Sequence, residues 1–183
     1  SLLRAVYSPL VGALAALHVP PNAVSFSQVI LGGVVVALMP QQPRVAFVLF
    51  VVAVALDGVD GALARATNRV TRFGALFDAY CDHTREVMVV AGLALYGALN
   101  PFLAGLYGVT YPGLNLTLAL CNSHRVPLPF AIKSYLIVYP ALFAYLWFGA
   151  NVLDAAVALS ITLMGAAIVI GLWRLAHVMD TPG

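Results

Sequence analysis

Four aspartates, Asp57, Asp60, Asp78 and Asp82, fall within 26 positions of a chain with only seven acidic residues in 183. Their string reads Asp57-x2-Asp60-Gly61-x2-Ala64-Arg65, then eight residues to Gly74, then Asp78-x3-Asp82. Asp57 and Asp60 are spaced i,i+3 and Asp78 and Asp82 i,i+4, so on helices each pair shares one face. Two such faces turned towards each other would make a cage of carboxylate oxygens, the donor set that hard divalent cations such as Mg2+ or Mn2+ prefer. The same spacing also fits a salt-bridge lattice with Arg65, Arg69, Arg72 and Arg85 that ties two helices together. Gly61 and Gly74 favour a ligand, because small residues beside carboxylates leave room for one.

The surroundings make these acids costly. The chain is 62% hydrophobic and 9% charged, with a mean hydropathy of +0.97, which excludes an ordinary soluble domain. A carboxylate at the centre of a transmembrane helix costs roughly 2.5 to 3.5 kcal/mol, so four without compensation would cost on the order of 10 kcal/mol. A net charge of +2, with no basic block interleaved with aromatics, excludes a nucleic-acid partner. Cys81 and Cys121 fit no metal-binding spacing and read as buried free thiols. The chain begins at Ser1, consistent with a trimmed or fused start, so the presence of a targeting segment is open.

The elements that must carry these residues follow from hydropathy. The expected fold is an all-α integral membrane protein, a single domain over 1–183, with six spans of about 20 residues. The spans run at 23–39, 45–64, 74–99, 102–120, 129–148 and 152–174. Turn residues mark the gaps: Pro40-Gln41-Gln42-Pro43, Asn100-Pro101, Ser123-His124-Arg125-Val126-Pro127 and Gly149-Ala150-Asn151. Before them, residues 2–17 are apolar, too short to cross and interrupted by Pro9, with Arg4 and Ser8 one turn apart. That pattern predicts a short interfacial amphipathic helix. Pro20-Pro21-Asn22 ends it and supplies a capping residue for the first span.

Basic residues set the orientation. Arg4, Arg65, Arg69, Arg72, Arg125 and Arg174 fall on one side of this topology and Arg44 on the other, so both termini and the acidic cluster face the cytoplasm. Asp57 and Asp60 come in the last turns of the second span and Asp78 and Asp82 in the first turns of the third. The expected site is a wet pocket at the membrane surface. Glu86 extends the Asp78, Asp82 series by a turn, but its depth and the adjacent Arg85 place it outside the ligand set, as an ion-paired or hydrogen-bonded carboxyl.

With all eight motif positions and spacings in place, Asp57-x2-Asp60-Gly61-x2-Ala64-Arg65-x8-Gly74-x3-Asp78-x3-Asp82 resembles the signature of the CDP-alcohol phosphotransferases. The six spans and short amphipathic start resemble that family's fold along the whole chain. The resemblance implies that the hydroxyl of an alcohol attacks the β-phosphorus of a CDP-linked substrate, forming a phosphodiester and expelling CMP. It implies two divalent ions, Mg2+ or alternatively Mn2+, one held by Asp57, Asp60 and Asp78 and the other by Asp57, Asp78 and Asp82. It also makes Asp82 the general base. Two ions on shared carboxylates suit a pyrophosphate, whose charge they neutralise. Pro21, Asn22, Asp60, Gly61, Arg65, Thr71 and Gly74 are implied to enclose the CDP moiety; Thr71 would equally serve as a helix N-cap.

The acceptor side is sparser. Family members with phosphorylated acceptors, such as inositol phosphate or glycerol phosphate, usually carry several basic residues beyond the fourth span, whereas here only Arg125 and Lys133 are clearly charged. Arg125 and Lys133 are the acceptor-side candidates, with snorkelling to the interface as the other role for Lys133. His124 and His177 read as loop or interface residues, and His83 need not face the site. The resulting expectation is a multi-pass cell-membrane phosphotransferase that passes a phosphatidyl-type group from CDP-diacylglycerol or an archaeal equivalent to an alcohol, its acyl chains remaining in the bilayer. Homodimers are common in the resembling family. Alternatives are a CDP-choline or CDP-ethanolamine enzyme acting on a lipid alcohol, a divalent-cation transporter or channel, and a helix-packing protein.

Overall fold

The computed structural model describes residues 2–126, 128 and 135–179, with side chains from residue 9 onward. The described residues form seven helices: α1 (Leu2–Ala16), α2 (Pro21–Leu38), α3 (Pro43–Ala66), α4 (Arg72–Leu95), α5 (Pro101–Ser123), α6 (Tyr135–Phe148) and α7 (Leu153–Met179). Three of them, α2, α3 and α7, are long and apolar enough to cross a membrane. The helices α4 and α5 match them in length, at 24 and 23 residues. Charged residues lower the apolarity of α4, where Arg72, Asp78, Asp82, Arg85 and Glu86 lie on one helix. Many large apolar side chains, among them Phe26, Ile30, Val48 and Val169, are exposed, as a lipid-facing surface requires.

Proline sets several boundaries. Pro21, Pro43 and Pro101 each occupy the first turn of a helix, where a missing N–H costs nothing. The helix α2 is entered through Pro20 with no side-chain cap, so Asn22 lies inside the first turn and does not cap it as the sequence implied. Pro9 does not interrupt α1, which runs through it. The third predicted span ended at 99, but α4 stops at Leu95 because Gly97, at φ +72°, turns the chain and lets Ala98 N–H donate to Leu93 O at 2.8 Å. The last helix outruns its hydropathy limit at 174 and reaches Met179, since a helix leaving an apolar layer keeps its own backbone hydrogen bonds. The predicted fifth span begins at 129, and that part of it lies outside the described residues.

Contacts divide the chain into two compact units, 1–89 and 90–183, with the division inside α4. In the first unit α3 packs against both α1 and α2. The buried residues of α2, Pro21, Val24, Ser25, Gln28, Gly32 and Val35, recur at three and four and mark one face. Asp60 is buried on α3 among Val59 and Leu63, which form a small core with Val11 and Val24. Polar Ser25 and Gln28 are thereby carried inward on the same face as the apolar anchors of α2.

In the second unit α7 packs against α5 and α6. Its buried stripe runs Leu153, Val157, Ser160, Met164, Ala167, Gly171 and Leu175. The turns at its start are tied: Asn151 Nδ2 donates to Ala98 O at 2.8 Å, and Asn100 N–H donates to Asp154 Oδ1 at 2.8 Å. Gly171 is the tightest point, because a Cβ there would stand 2.6 Å from Thr117 Cγ2. Gly171→Ala should therefore destabilise the protein by roughly 1 to 3 kcal/mol, read as a lower thermal midpoint in detergent. Adding Thr117→Ser removes the offending methyl and keeps the hydroxyl bond to Gly113 O, 2.8 Å long, so it should restore most of the loss. An unchanged midpoint in the single variant would refute this account of the contact.

Candidate active site

All four motif aspartates lie on α3 and α4 within the first unit, but they are held differently. Asp60 is 3% exposed. Its Oδ2 accepts from Ser25 Oγ at 2.6 Å and from Gln28 Nε2 at 3.3 Å, while its Oδ1 accepts from the Gly61 N–H at 2.5 Å. Three donors offset the loss of water around a buried carboxylate. Asp57, half-buried one turn earlier on α3, lies close to the Gln28 amide and to the Arg85 guanidinium.

Asp78 stands within hydrogen-bonding reach of Asp60, and its Oδ1 is buried with no partner. Two carboxyl groups in that relation need a shared proton or a cation. Asp82 goes elsewhere: its Oδ1 accepts from Arg85 Nη2 in an ion pair within α4. Arg85 is 1% exposed and also donates through Nη1 to Gln28 Oε1 and to Ala53 O, the latter at 3.3 Å. Asp82 itself remains about a quarter accessible, its side chain being 26% exposed.

Among the described residues no group of three or more acidic, histidine or cysteine side chains is arranged to hold a metal ion. Arg85 engages Asp82, and donors from α2 reach Asp60, so two of the four motif carboxylates have protein partners. The donor chemistry nevertheless fits a hard cation. The unpartnered Asp78 Oδ1 and the facing Asp60 supply oxygen ligands and a local excess of negative charge.

Beside these two acids opens a cavity of about 270 Å3. Pro21, Asn22, Asp60, Gly61, Arg65, Thr71 and Gly74, the residues assigned to the CDP side, all line it, together with Ser25, Ala64, Arg69, Val70, Ala75 and Asp78. Asp57 and Asp82 are not among its lining residues. Thr71 does cap α4, its Oγ1 accepting from the Gly74 N–H at 2.9 Å, and it faces the cavity as well. The Arg65 guanidinium folds back over Gly61, where a Cβ would meet Nη1 at 3.4 Å. Gly74 leaves a similar gap between Thr71 Oγ1 and Asn22 Oδ1. Anionic carboxylates and cationic guanidinia thus share one concavity, a combination suited to a phosphate-bearing ligand that brings cations with it.

Ser25 and Gln28 were not singled out from the sequence, Arg69 was read as a counter-charge and a mark of the cytoplasmic side, and Arg85 as a counter-charge and the neighbour of Glu86. The signal for the α2 pair was present in the i,i+3 spacing of two polar residues within an apolar span, one turn after Asn22. Glu86 is buried, at 2% exposure, and is not among the lining residues of the cavity. On the acceptor side, Arg125 lies in the second unit, exposed, at φ +56° just past the end of α5. Lys133 lies outside the described residues. His124 and His177 are exposed, His177 packing against Trp173 with ring centroids 4.4 Å apart. Cys81 and Cys121 are buried and unbridged.

The described residues thus combine helices long and apolar enough to cross a membrane with one cavity lined by the acids Asp60 and Asp78 and the arginines Arg65 and Arg69. The chain belongs to the CDP-alcohol phosphatidyltransferase family, which its sequence matches over residues 18–173. It is 33% identical over 116 residues to the archaetidylinositol phosphate synthase of Pyrococcus horikoshii, covering 58% of this chain and 60% of that protein. To the human CDP-diacylglycerol–inositol 3-phosphatidyltransferase it is 32% identical over 75 residues, covering 41% of this chain and 35% of that protein. The aligned regions thus span under two thirds of these relatives. In fold it is similar to the Mycobacterium tuberculosis phosphatidylinositol phosphate synthase solved with CDP-DAG bound, with TM-score 0.72, 21% identity, and 97% of this chain and 96% of that one covered. The same enzyme in complex with manganese and citrate superposes with TM-score 0.71 at 22% identity, covering 97% of this chain and 90% of that one.

The short bond from Ser25 to buried Asp60 carries a stability prediction. Ser25→Ala should cost about 1 to 3 kcal/mol, because a buried carboxylate loses one of its donors, and thermal unfolding in detergent measures it. A midpoint equal to that of the unchanged protein would show that the bond contributes nothing.

Proposed function

We propose that this protein transfers a phosphatidyl-type group from a CDP-linked lipid, of the CDP-diacylglycerol kind, to the hydroxyl of an inositol-class alcohol, releasing CMP in phospholipid synthesis. The observation that carries the reading is the single cavity in which Pro21, Asn22, Gly61, Arg65, Thr71 and Gly74 surround Asp60 and Asp78. The family supports the reaction class. The acceptor class is supported by relatives whose names specify inositol or inositol phosphate chemistry.

Arg65 and Arg69 supply guanidinium groups for the diphosphate, and Pro21, Asn22, Thr71 and Gly74 wall in the nucleotide. Asp57, Asp60, Asp78 and Asp82 would hold divalent cations, two by resemblance to the family, Mg2+ or Mn2+. Such ions would supply positive charge against the pyrophosphate and the departing CMP. The acceptor oxygen forms its new bond to the β-phosphorus, the phosphoanhydride bond to CMP breaks, and the hydroxyl proton passes to Asp82. The partial exposure of Asp82, away from the nucleotide cavity, suits a base that faces a second substrate. Arg125 and Lys133 serve the acceptor side. In the cell the chain is a multi-pass membrane protein of six spans, with α1 lying in the interface and the cavity open to the cytoplasm, and it assembles as a homodimer.

Purified protein incubated with labelled CDP-diacylglycerol, Mg2+ and a panel of inositol phosphate, inositol, glycerol phosphate and serine should release CMP and form a new lipid with an inositol compound. Chelation should abolish the release. No CMP with any acceptor would overturn the reaction, and turnover with serine or glycerol phosphate alone would overturn the acceptor class. Asp82→Asn should lower turnover by roughly 100-fold or more, the range of general-base contributions, with CDP binding retained by calorimetry. Normal turnover in that variant would remove Asp82 as the base.

A further inference from the structure

Gln28 on α2 lies between Asp60 of α3 and Arg85 of α4. It is fully buried, at 0% exposure, and its side chain is engaged at both ends. Nε2 donates to Asp60 Oδ2 at 3.3 Å, Oε1 accepts from Arg85 Nη1, and the Asp57 carboxyl lies close to the same amide. A guanidinium only donates and a carboxylate only accepts, so a single amide orientation satisfies both neighbours. No charged side chain of this length performs both tasks, since Glu offers no donor when ionised and Lys offers no acceptor.

Arg85 carries the connection onward to Asp82. The path from Asp60 through Gln28 and Arg85 to Asp82 crosses α3, α2 and α4 using side chains that are 3%, 0% and 1% exposed before it emerges at Asp82. Gly32, one turn further along α2, is where Arg85 passes: a Cβ there would meet Arg85 Cγ at 3.2 Å and Met88 Cε at 2.8 Å. The helix α2 thus presents an amide and a gap in register, and both serve Arg85.

We infer that Gln28 is a positioning residue for the transfer reaction, its amide aiming Asp57 and Asp60 while its carbonyl fixes Arg85 and, through it, Asp82. The inference rests on the reading given above, in which those aspartates serve the donor and the base. Groups that orient ligating carboxylates typically contribute about 10- to 100-fold in metal affinity or activity.

Two variants test it in full-length protein in detergent, with CDP-diacylglycerol, Mn2+ and the panel alcohol that supports turnover. Gln28→Met keeps the length and shape of the side chain and removes both hydrogen bonds. It should lower kcat and weaken Mn2+ binding, followed by electron paramagnetic resonance, by about 10- to 100-fold each, with the KM for CDP-diacylglycerol changing by less than about three-fold. Wild-type kcat and Mn2+ affinity would overturn the inference. Gln28→Glu keeps an acceptor for Arg85 and gives up the donor, so it carries the test if the methionine variant fails to fold. Its kcat should fall at least about ten-fold, whereas full turnover would make Gln28 merely the partner of Arg85 and overturn its positioning role. An unchanged protein that releases no CMP would overturn the reaction and this inference with it, whereas active parent and active variants would overturn the inference alone.

Discussion

A carboxylate removed from water must be given donors, a cation or a proton, and that requirement organises the first unit. Asp60 receives a hydroxyl, an amide and a backbone N–H, Asp82 receives a guanidinium, and Asp78 retains a buried oxygen with no partner. The apolar contacts of α2 with α3 place these groups side by side. They do not stabilise the charges. Compensation comes from polar residues carried on the same inward face as the apolar anchors, so packing and electrostatics impose one geometry on α2.

Compensation is also uneven in a way that separates two regions. Asp60 and Asp78 border the cavity with Arg65 and Arg69, while Asp57 and Asp82 are grouped with Gln28 and Arg85 away from it. A uniform salt-bridge lattice would have paired each acid with its nearest arginine. Instead Arg65 folds over Gly61 towards the cavity, and Arg85 is buried among α2, α3 and α4. Each region therefore holds carboxylates and guanidinia together, one group bordering the cavity and the other packed behind it.

Much of this was legible in the chain. The acid spacings and the two glycines brought out Asp60, Asp78, Gly61 and Gly74, the family resemblance added Pro21, Asn22, Arg65 and Thr71, and the helices α2 and α3 begin within two residues of their hydropathy limits. What escaped was of two kinds. Gly97 and Pro21 act through backbone geometry that hydropathy ignores, so the end of α4 and the cap of α2 were misplaced. Gln28 and Arg85 sit 57 positions apart, and only the folded chain shows that one amide serves both Arg85 and Asp60. A lone glutamine in an apolar helix announces a buried partner without naming it.

The ion pair between Arg85 and Asp82 lies wholly within α4, three residues apart on one helix. During synthesis a helix enters the bilayer before its neighbours have docked, and a charge without a local partner must then wait in an environment that penalises it. Here α4 brings the counter-ion of its deepest arginine with it. Asp60, by contrast, depends on donors from α2, a segment already made by the time α3 emerges. For Arg85 and Asp60, therefore, these hydrogen-bonding partners are never on a segment not yet translated.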